Sequence, residues 1–405
     1  MKVGLFIGNI KATDGGGFTY VSELLRAIGK IAHGVDLEFV VLHYGLQDVK
    51  VISAGLKTLD LLAEKRSVLS KKEIFFTNFR GSLERVWDSV VGGARSAPWE
   101  ARVCDLHGIG FVLRLVPWCS MTMDIPFGAV IWDLQHRVNP WFPEVSSNGD
   151  WEKRETSFSR LCQRASLLFT GTKQGADEIQ RFYCVPSERI KIAPFPTPRF
   201  ALEGYQNKYD AGIVEKFALP RDFLFYPAQY WPHKNHVAVL EACRSVRERT
   251  GWDLGVVFVG SEKGNFEHVR DYANKMGAVD YTRFLGFVTL DELIQLYRRA
   301  FCLTFPTFTG PDNLPPLEAF ALGCPVVASS VPGAEEQLGN AALLFPPSDA
   351  AVLADRIIEL RETTGLRDRL ITSGLQRAGR DTWEQYADVL VKSVSEFYAV
   401  RRAWR

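Results

Sequence analysis

No apolar run in this sequence approaches the length of a bilayer span. The start does not read as a secretory leader either, because Met1 to Ile10 is strand-like and runs straight into a glycine loop. These absences predict a cytoplasmic protein, one that would meet any membrane-held substrate from outside, at the inner face. The seven cysteines (Cys104, Cys119, Cys162, Cys184, Cys243, Cys302, Cys324) are odd in number and contain no C-x-x-C pair. That argues against a disulfide frame or a zinc site and for reduced, mostly buried thiols. No D-x-D motif occurs and no His/Cys cluster has metal spacing, so neither a metal nor a resident cofactor is expected. A net charge of +1 announces no polyanion binder, which excludes nucleic acid as an expected partner. There are no repeats and no low-complexity tract.

What is present is a chain of 405 residues, 46% apolar and 12% aromatic, enough for two well-filled cores. Its organising stretch is Phe301 to Ser330, FCLTFPTFTGPDNLPPLEAFALGCPVVASS. Short apolar runs bounded by breakers predict buried parallel strands over Phe301 to Phe305 and Pro325 to Ala328, with a loop and a short helix between. That loop lies at the carboxyl end of a strand, where open α/β sheets bind ligands. Pro315 and Pro316 suit a helix start, where a missing N–H costs nothing. Asn313 and Leu314 just before them are predicted to point their N–H groups at an anion, with Glu318 in the first turn.

Earlier in the chain, MKVGLFIGN and Asp14-Gly15-Gly16-Gly17 precede a helical pattern from near Phe18. Strand, glycine turn, helix opens a Rossmann-like unit whose backbone can approach a ligand. The loop is not G-x-G-x-x-G, and Glu38 falls after the next strand begins, so a nicotinamide site is disfavoured. Three successive glycines favour ligand approach over a plain turn, which one glycine would serve. Leu37 to Leu42 reads as the second strand. Residues 43–110 are hard to read, with an Arg/Lys excess between Lys65 and Arg102; a solvated basic face is the plain reading and docking to an anionic membrane the alternative. Gly128 to Trp132 reads as a strand leading into Asp133, Gln135, His136 and the run Trp141-Phe142-Pro143-Glu144. PFPTPRF, with three prolines in five residues, marks the interdomain linker. After it come the strand FLFY, the segment Gln229 to Asn235 with Lys234 at a helix entrance, the strand GVVFVG, and FLGFV read as a strand over Phe284 to Val288.

GPDNLPPLEAFALGCPVVASS resembles the signature of family 4 retaining glycosyltransferases, which have the GT-B fold and read E-G-F-G-L-P-P-L-E-A-x-A-x-G-x-P-V-V-A-S. The resemblance implies an α/β protein of two Rossmann-like domains facing each other across a cleft. It implies that Glu318 holds the ribose hydroxyls of a sugar nucleotide. The first family Glu, which contacts the transferred sugar, is Gly310 here, so that role is vacant or passes to Asp312. PHKN resembles the family's G-R-x-x-P-x-K-N: Lys234 and Asn235 match and imply a grip on the donor diphosphate, while the usual Arg is Gln229. Asp133 and His136 resemble the cleft segment H-D-x-x-H-x-x-x-P-E-F, in which Trp132 replaces the first His; catalytic roles in the cleft are implied for both, with Asp312 or His136 orienting the sugar. The glycine loop (Gly16, Gly17) would face the donor phosphates or acceptor, and Phe287 the base pocket.

The implied domains are residues 1–195, binding an acceptor; 196–383, binding a nucleotide sugar; and a terminal helix, 384–405, returning to the first domain. The implied activity is metal-independent transfer, with retention, of a hexose such as mannose from a nucleoside-diphosphate sugar to a hydroxyl of a polysaccharide or glycolipid. A rival is a non-catalytic GT-B domain that scaffolds an active transferase, motivated by Gly310, Gln229 and Trp132. A nucleotide-sugar epimerase is a weaker alternative.

Overall fold

The computed structural model describes residues 1–11, 15–32, 36–47, 49–69, 98–117, 124–205, 212–310 and 312–404. Among these residues the chain forms two parallel sheets. The first contains β1 (Lys2–Gly8), β2 (Glu38–His43), β3 (Lys57–Asp60), β4 (Ile109–Arg114), β5 (Phe127–Val130), β6 (Leu167–Thr170) and β7 (Ile190–Ile192), in the order β3-β2-β1-β4-β5-β6-β7. The second contains β8 (Asp222–Pro227), β9 (Leu254–Val259), β10 (Thr282–Phe284), β11 (Cys302–Phe305), β12 (Val326–Ser329) and β13 (Ala342–Phe345), in the order β10-β9-β8-β11-β12-β13. This is the GT-B architecture.

Strand alternation decides which face each residue covers. Val3, Leu5 and Ile7 pack with Leu24, Ile28 and Leu390, while Phe6 points into the opposite cluster with Val103, Phe158 and Ile179. Burial on both faces explains why these strands read as unbroken apolar runs. The second sheet sits in one core, with Phe223, Phe225, Val257 and Leu303 all at 0% exposure.

Each sheet changes direction at one place, between β1 and β4 in the first and between β8 and β11 in the second. A crevice opens at such a switch point beyond the carboxyl ends of the strands. The glycine loop leaves β1, and the Thr307–Asn313 segment leaves β11, so each sheet delivers its loop to that crevice.

Residues 193–198 carry neither helix nor strand, and the last long helix, Trp383–Arg401, lies on the first domain. There the hydroxyls of Tyr20 and Tyr386 meet at 2.8 Å, and Lys30 pairs with Glu384 at 3.1 Å. The two segments that pass between the domains are tied together, since Thr197 donates to the Ala378 carbonyl at 2.9 Å and accepts from the Trp383 indole at 3.0 Å.

FLGFV is less of a strand than its composition predicts: β10 ends at Phe284, and Gly286 turns the chain at φ 64°. Of the six cysteines among the described residues, all are free thiols and only Cys184 is exposed; Cys119 lies outside them. So do Asp14 and most of the basic stretch between Lys65 and Arg102.

Candidate functional site

The glycine loop meets the second domain directly. A Cβ on Gly15 would lie 3.7 Å from the Gln229 amide nitrogen, and one on Gly16 would lie 3.7 Å from a Leu314 methyl. On Gly17 it would press the Trp132 ring at 3.1 Å. Gly15 also needs φ 62°, which glycine adopts without a steric cost. Gly16, Gly17, Trp132, Gln229 and Leu314, far apart in sequence, thus share one corner of the cleft.

The opposite wall comes from the turn after β8. Pro232–Lys234 is a single 3-10 turn, held by the Tyr226 hydroxyl donating to the Lys234 carbonyl at 2.8 Å. The Lys234 ammonium lies 5.2 Å from the centre of the Phe305 ring. Desolvation lowers its pKa to about 8, against the opposing charges of Asp133 and Glu144. Among the described residues no carboxylate takes this ammonium in an ion pair, so its charge is available to an anion. Gln229 is fixed by Ser261 at 3.2 Å and Trp231 at 3.1 Å.

Asn235 does not share that role. At φ 56° it caps the helix His236–Thr250, and its side chain donates to the Pro347 carbonyl at 2.8 Å. It is a clip between two loops.

The helix Leu314–Ala321 opens with Pro at its second and third positions, which removes two N–H groups an anion would use. The Asn313 amide donates to the Gln337 side chain at 3.1 Å, and Gln337 donates back to the Asn313 carbonyl at 2.9 Å. The expected pair of anion-facing amides therefore reduces to that of Leu314. Gly310 stands at φ 116°, and a Cβ there would meet the Asn313 side chain at 2.7 Å. The loop is built for glycine at the position where a Glu would otherwise stand.

Glu318 accepts a hydrogen bond from the Tyr297 hydroxyl at 2.7 Å. Desolvation raises its pKa to about 7, partly offset by that bond. Asp312 turns elsewhere. Its carboxyl faces Gly171 of the first domain, where a Cβ would meet it at 2.0 Å, beside Pro194, Phe195 and Arg377. Burial, then the charge of Glu336, raises its pKa to about 8, against the Gly171 N–H that it accepts. The sugar-contacting role expected of Asp312 is not what this geometry supports, because the side chain spans the domain junction.

Asp133 and His136 also part company. Asp133 accepts from the Gln135 amide at 2.9 Å and from Arg154 at 3.0 Å. It lines a narrow space between the domains with Phe308, Gly310 and Pro332. His136 is fully enclosed, at 0% exposure, with Nε2 at 3.1 Å from the Tyr183 hydroxyl and 3.3 Å from Glu155. Burial, then Arg154, lowers its pKa to about 4, which leaves a neutral ring packed on Phe158. A sugar contact from His136 is therefore corrected to a core role. Phe287 is 66% exposed beyond the end of β10, so its ring is open to a ligand.

A pairing across the cleft had no sequence signal. Glu144 of the first domain accepts from both the His233 amide at 3.2 Å and the His233 ring Nδ1 at 2.5 Å. On the hinge side, Glu336 accepts from the Lys173 amide at 2.7 Å at the start of helix Lys173–Tyr183. Such partners lie 89 and 163 residues apart, beyond any motif.

Among the described residues no three His, Cys, Asp or Glu side chains cluster as a metal site, and no helix is long and apolar enough to cross a membrane.

Residues 214–377 match the family model described as glycosyl transferases group 1. The serotype-specific mannosyltransferase WbdA of Escherichia coli is 26% identical over 239 residues, 57% of this chain and 29% of WbdA. The O-antigen chain mannosyltransferase B of Escherichia coli is 25% identical over 260 residues, 60% of this chain and 64% of that protein. The matches to WbdA thus span about a third of its length. Among solved structures, sucrose-phosphate synthase from Thermosynechococcus elongatus superposes with a TM-score of 0.71 at 18% identity, covering 99% of this chain and 100% of that one. Anabaena HepE in complex with UDP gives 0.68 at 14% identity, over 98% and 100%.

Proposed function

We propose, from the match of residues 214–377 to the glycosyl transferases group 1, a retaining transferase that moves a hexose from a nucleoside-diphosphate sugar to an acceptor hydroxyl. The observation that carries the reading is the Lys234 ammonium, which no carboxylate among the described residues takes in an ion pair, in the turn that follows β8, while the helix bearing Glu318 follows the adjacent strand β11. Lys234 binds the diphosphate and neutralises the charge that develops as it leaves, with the Leu314 amide as a second donor. Glu318 accepts from the ribose hydroxyls. The acceptor hydroxyl attacks from the face on which the diphosphate departs, and a diphosphate oxygen takes its proton, so no side-chain nucleophile is used. Enclosure between the domains excludes water and limits hydrolysis.

The sugar is mannose, on the strength of the two mannosyltransferase relatives. The acceptor is a glycan or glycolipid reached from the cytoplasmic side, at a peripheral membrane contact where it is lipid-held. Protein charge replaces a metal in this scheme. One observation favours a second reading, a non-catalytic partner of an active transferase: Gly310 is locked in a conformation closed to the family's Glu.

The test is incubation with GDP-mannose and with UDP- and ADP-hexoses, with and without EDTA, following donor consumption and the anomeric configuration of the product. Donor-specific, EDTA-resistant turnover that is abolished in Glu318→Ala supports the transferase. Nucleotide binding without turnover of any donor supports the scaffold.

A further inference from the structure

We propose that Glu144 and His233 form an interdomain latch that closes the cleft and positions Lys234 against the donor diphosphate. The proposal rests on the transferase reading for its consequence and on geometry for the latch itself.

Glu144 belongs to the short helix Pro143–Ser146 of the first domain, and His233 is the centre of the Pro232–Lys234 turn of the second. Their side chains are only 6% and 11% exposed. One carboxylate oxygen, Oε1, takes both the main-chain and the ring N–H of His233, and Gln135 approaches it at 3.4 Å. The other oxygen, Oε2, is enclosed with no partner among the described residues. A buried carboxylate left that bare depends on the groups that do reach it, so separating the domains removes its main support unless water replaces them. The Phe142 ring covers the pair, 6.2 Å from the His233 ring and 5.6 Å from Phe308.

His233 also anchors the second domain's own loops. Its carbonyl accepts from the Phe308 amide at 2.9 Å and from the Thr307 hydroxyl at 3.5 Å. The exit of β11 and the turn bearing Lys234 therefore share one residue, and the first domain holds that residue. Burial lowers the pKa of His233, against the pull of the Glu144 hydrogen bond, with Lys234 and Asp133 as the other nearby charges. A neutral ring with its proton on Nδ1 suits the bond to Glu144. Neither residue touches the crevice corner of Gly16, Gln229 and Leu314; both act through Lys234, as positioning residues.

The experiment compares the purified full chain with Glu144→Ala, His233→Ala and Glu144→Gln. Small-angle X-ray scattering without nucleotide reads closure; calorimetric titration with GDP and GMP, or with UDP and UMP where that pair binds more tightly, reads the site. Glu144→Ala and His233→Ala are expected to enlarge the radius of gyration and weaken the diphosphate about tenfold, leaving the monophosphate within about twofold. Glu144→Gln keeps an oxygen to accept from His233 and is expected to stay within about threefold of the parent. Adding Glu144→Ala to Lys234→Ala is expected to cost nothing more, because both act on one contact. An unchanged radius, equal losses for mono- and diphosphate, or additive losses would each overturn the proposal. If the parent chain binds no nucleotide, the transferase reading fails, and the latch then stands or falls on scattering alone.

Discussion

In the proposed donor site Lys234 is the residue on which binding would turn, and the cost of removing it follows from that role. A charge-assisted hydrogen bond is worth about 1.5–3 kcal/mol, so Lys234→Ala should weaken a nucleoside diphosphate by about tenfold to a hundredfold in calorimetric titration. Folding should be little changed, because among the described residues no carboxylate is ion-paired with it and only the more distant charges of Asp133 and Glu144 lose an attraction. Asp312 gives an opposite case. Its carboxyl is neutral below about pH 8 and ionises above it, beside Glu336 and out of water. An acid whose folded pKa is raised loses stability as pH rises from its unfolded value, about 4, through the folded value, and the full penalty stands above it. Asp312→Asn should therefore raise the thermal midpoint over the parent by about 2 °C or more at pH 9 and much less at pH 5. Residue identities were legible in the sequence; residue partners were not. Lys234 and Glu318 stand out in the sequence because a motif carries them. His136 and Asn235 carry motif letters too, but one is enclosed by Tyr183 and Glu155 and the other is bonded to Pro347, 112 residues away.

Among the elements, buried strands follow the apolar runs closely: Cys302–Phe305 and Val326–Ser329 fall within a residue of where the runs put them. FLGFV is the exception, because an apolar run past Gly286 reads as strand while the backbone turns away. Loops are where composition says least. The Gly310 loop closes on the Asn313 side chain, which donates to the Gly310 carbonyl at 2.7 Å. Introducing the family's carboxylate by Gly310→Glu should not restore a sugar contact. It places a side chain at positive φ, costing about 1–2 kcal/mol, and pushes Asn313 from its bond. The expected result is a lower thermal midpoint and no gain in donor turnover. A rise in turnover at unchanged stability would show that the loop rearranges freely.

At the scale of the whole molecule, the two charged groups of the proposed donor site would set opposite limits on pH. Glu318 binds hydroxyls best as a carboxylate, and its pKa is raised to about 7, so donor affinity should fall as pH drops below that value. Lys234 must be protonated, and its pKa is lowered to about 8, so affinity should fall again as pH rises above that value. A bell centred between about 7 and 8 is expected in nucleotide titrations. Glu318→Gln should remove the acidic limb alone, and a flat profile would refute the assignment. Bound diphosphate will widen the bell by favouring the charged lysine.

The chain passes between the two domains twice, once through residues 193–198 and once just before Trp383, and Thr197 stitches the passages together. A single tether would let the domains swivel in any direction. Two tethers fastened side by side behave as a door hung on two pins: the free motion is rotation about the line through them, and twisting or sliding is resisted. Any opening of the cleft would therefore run along one arc, parting the glycine loop from Gln229 and Leu314 and returning it to the same places.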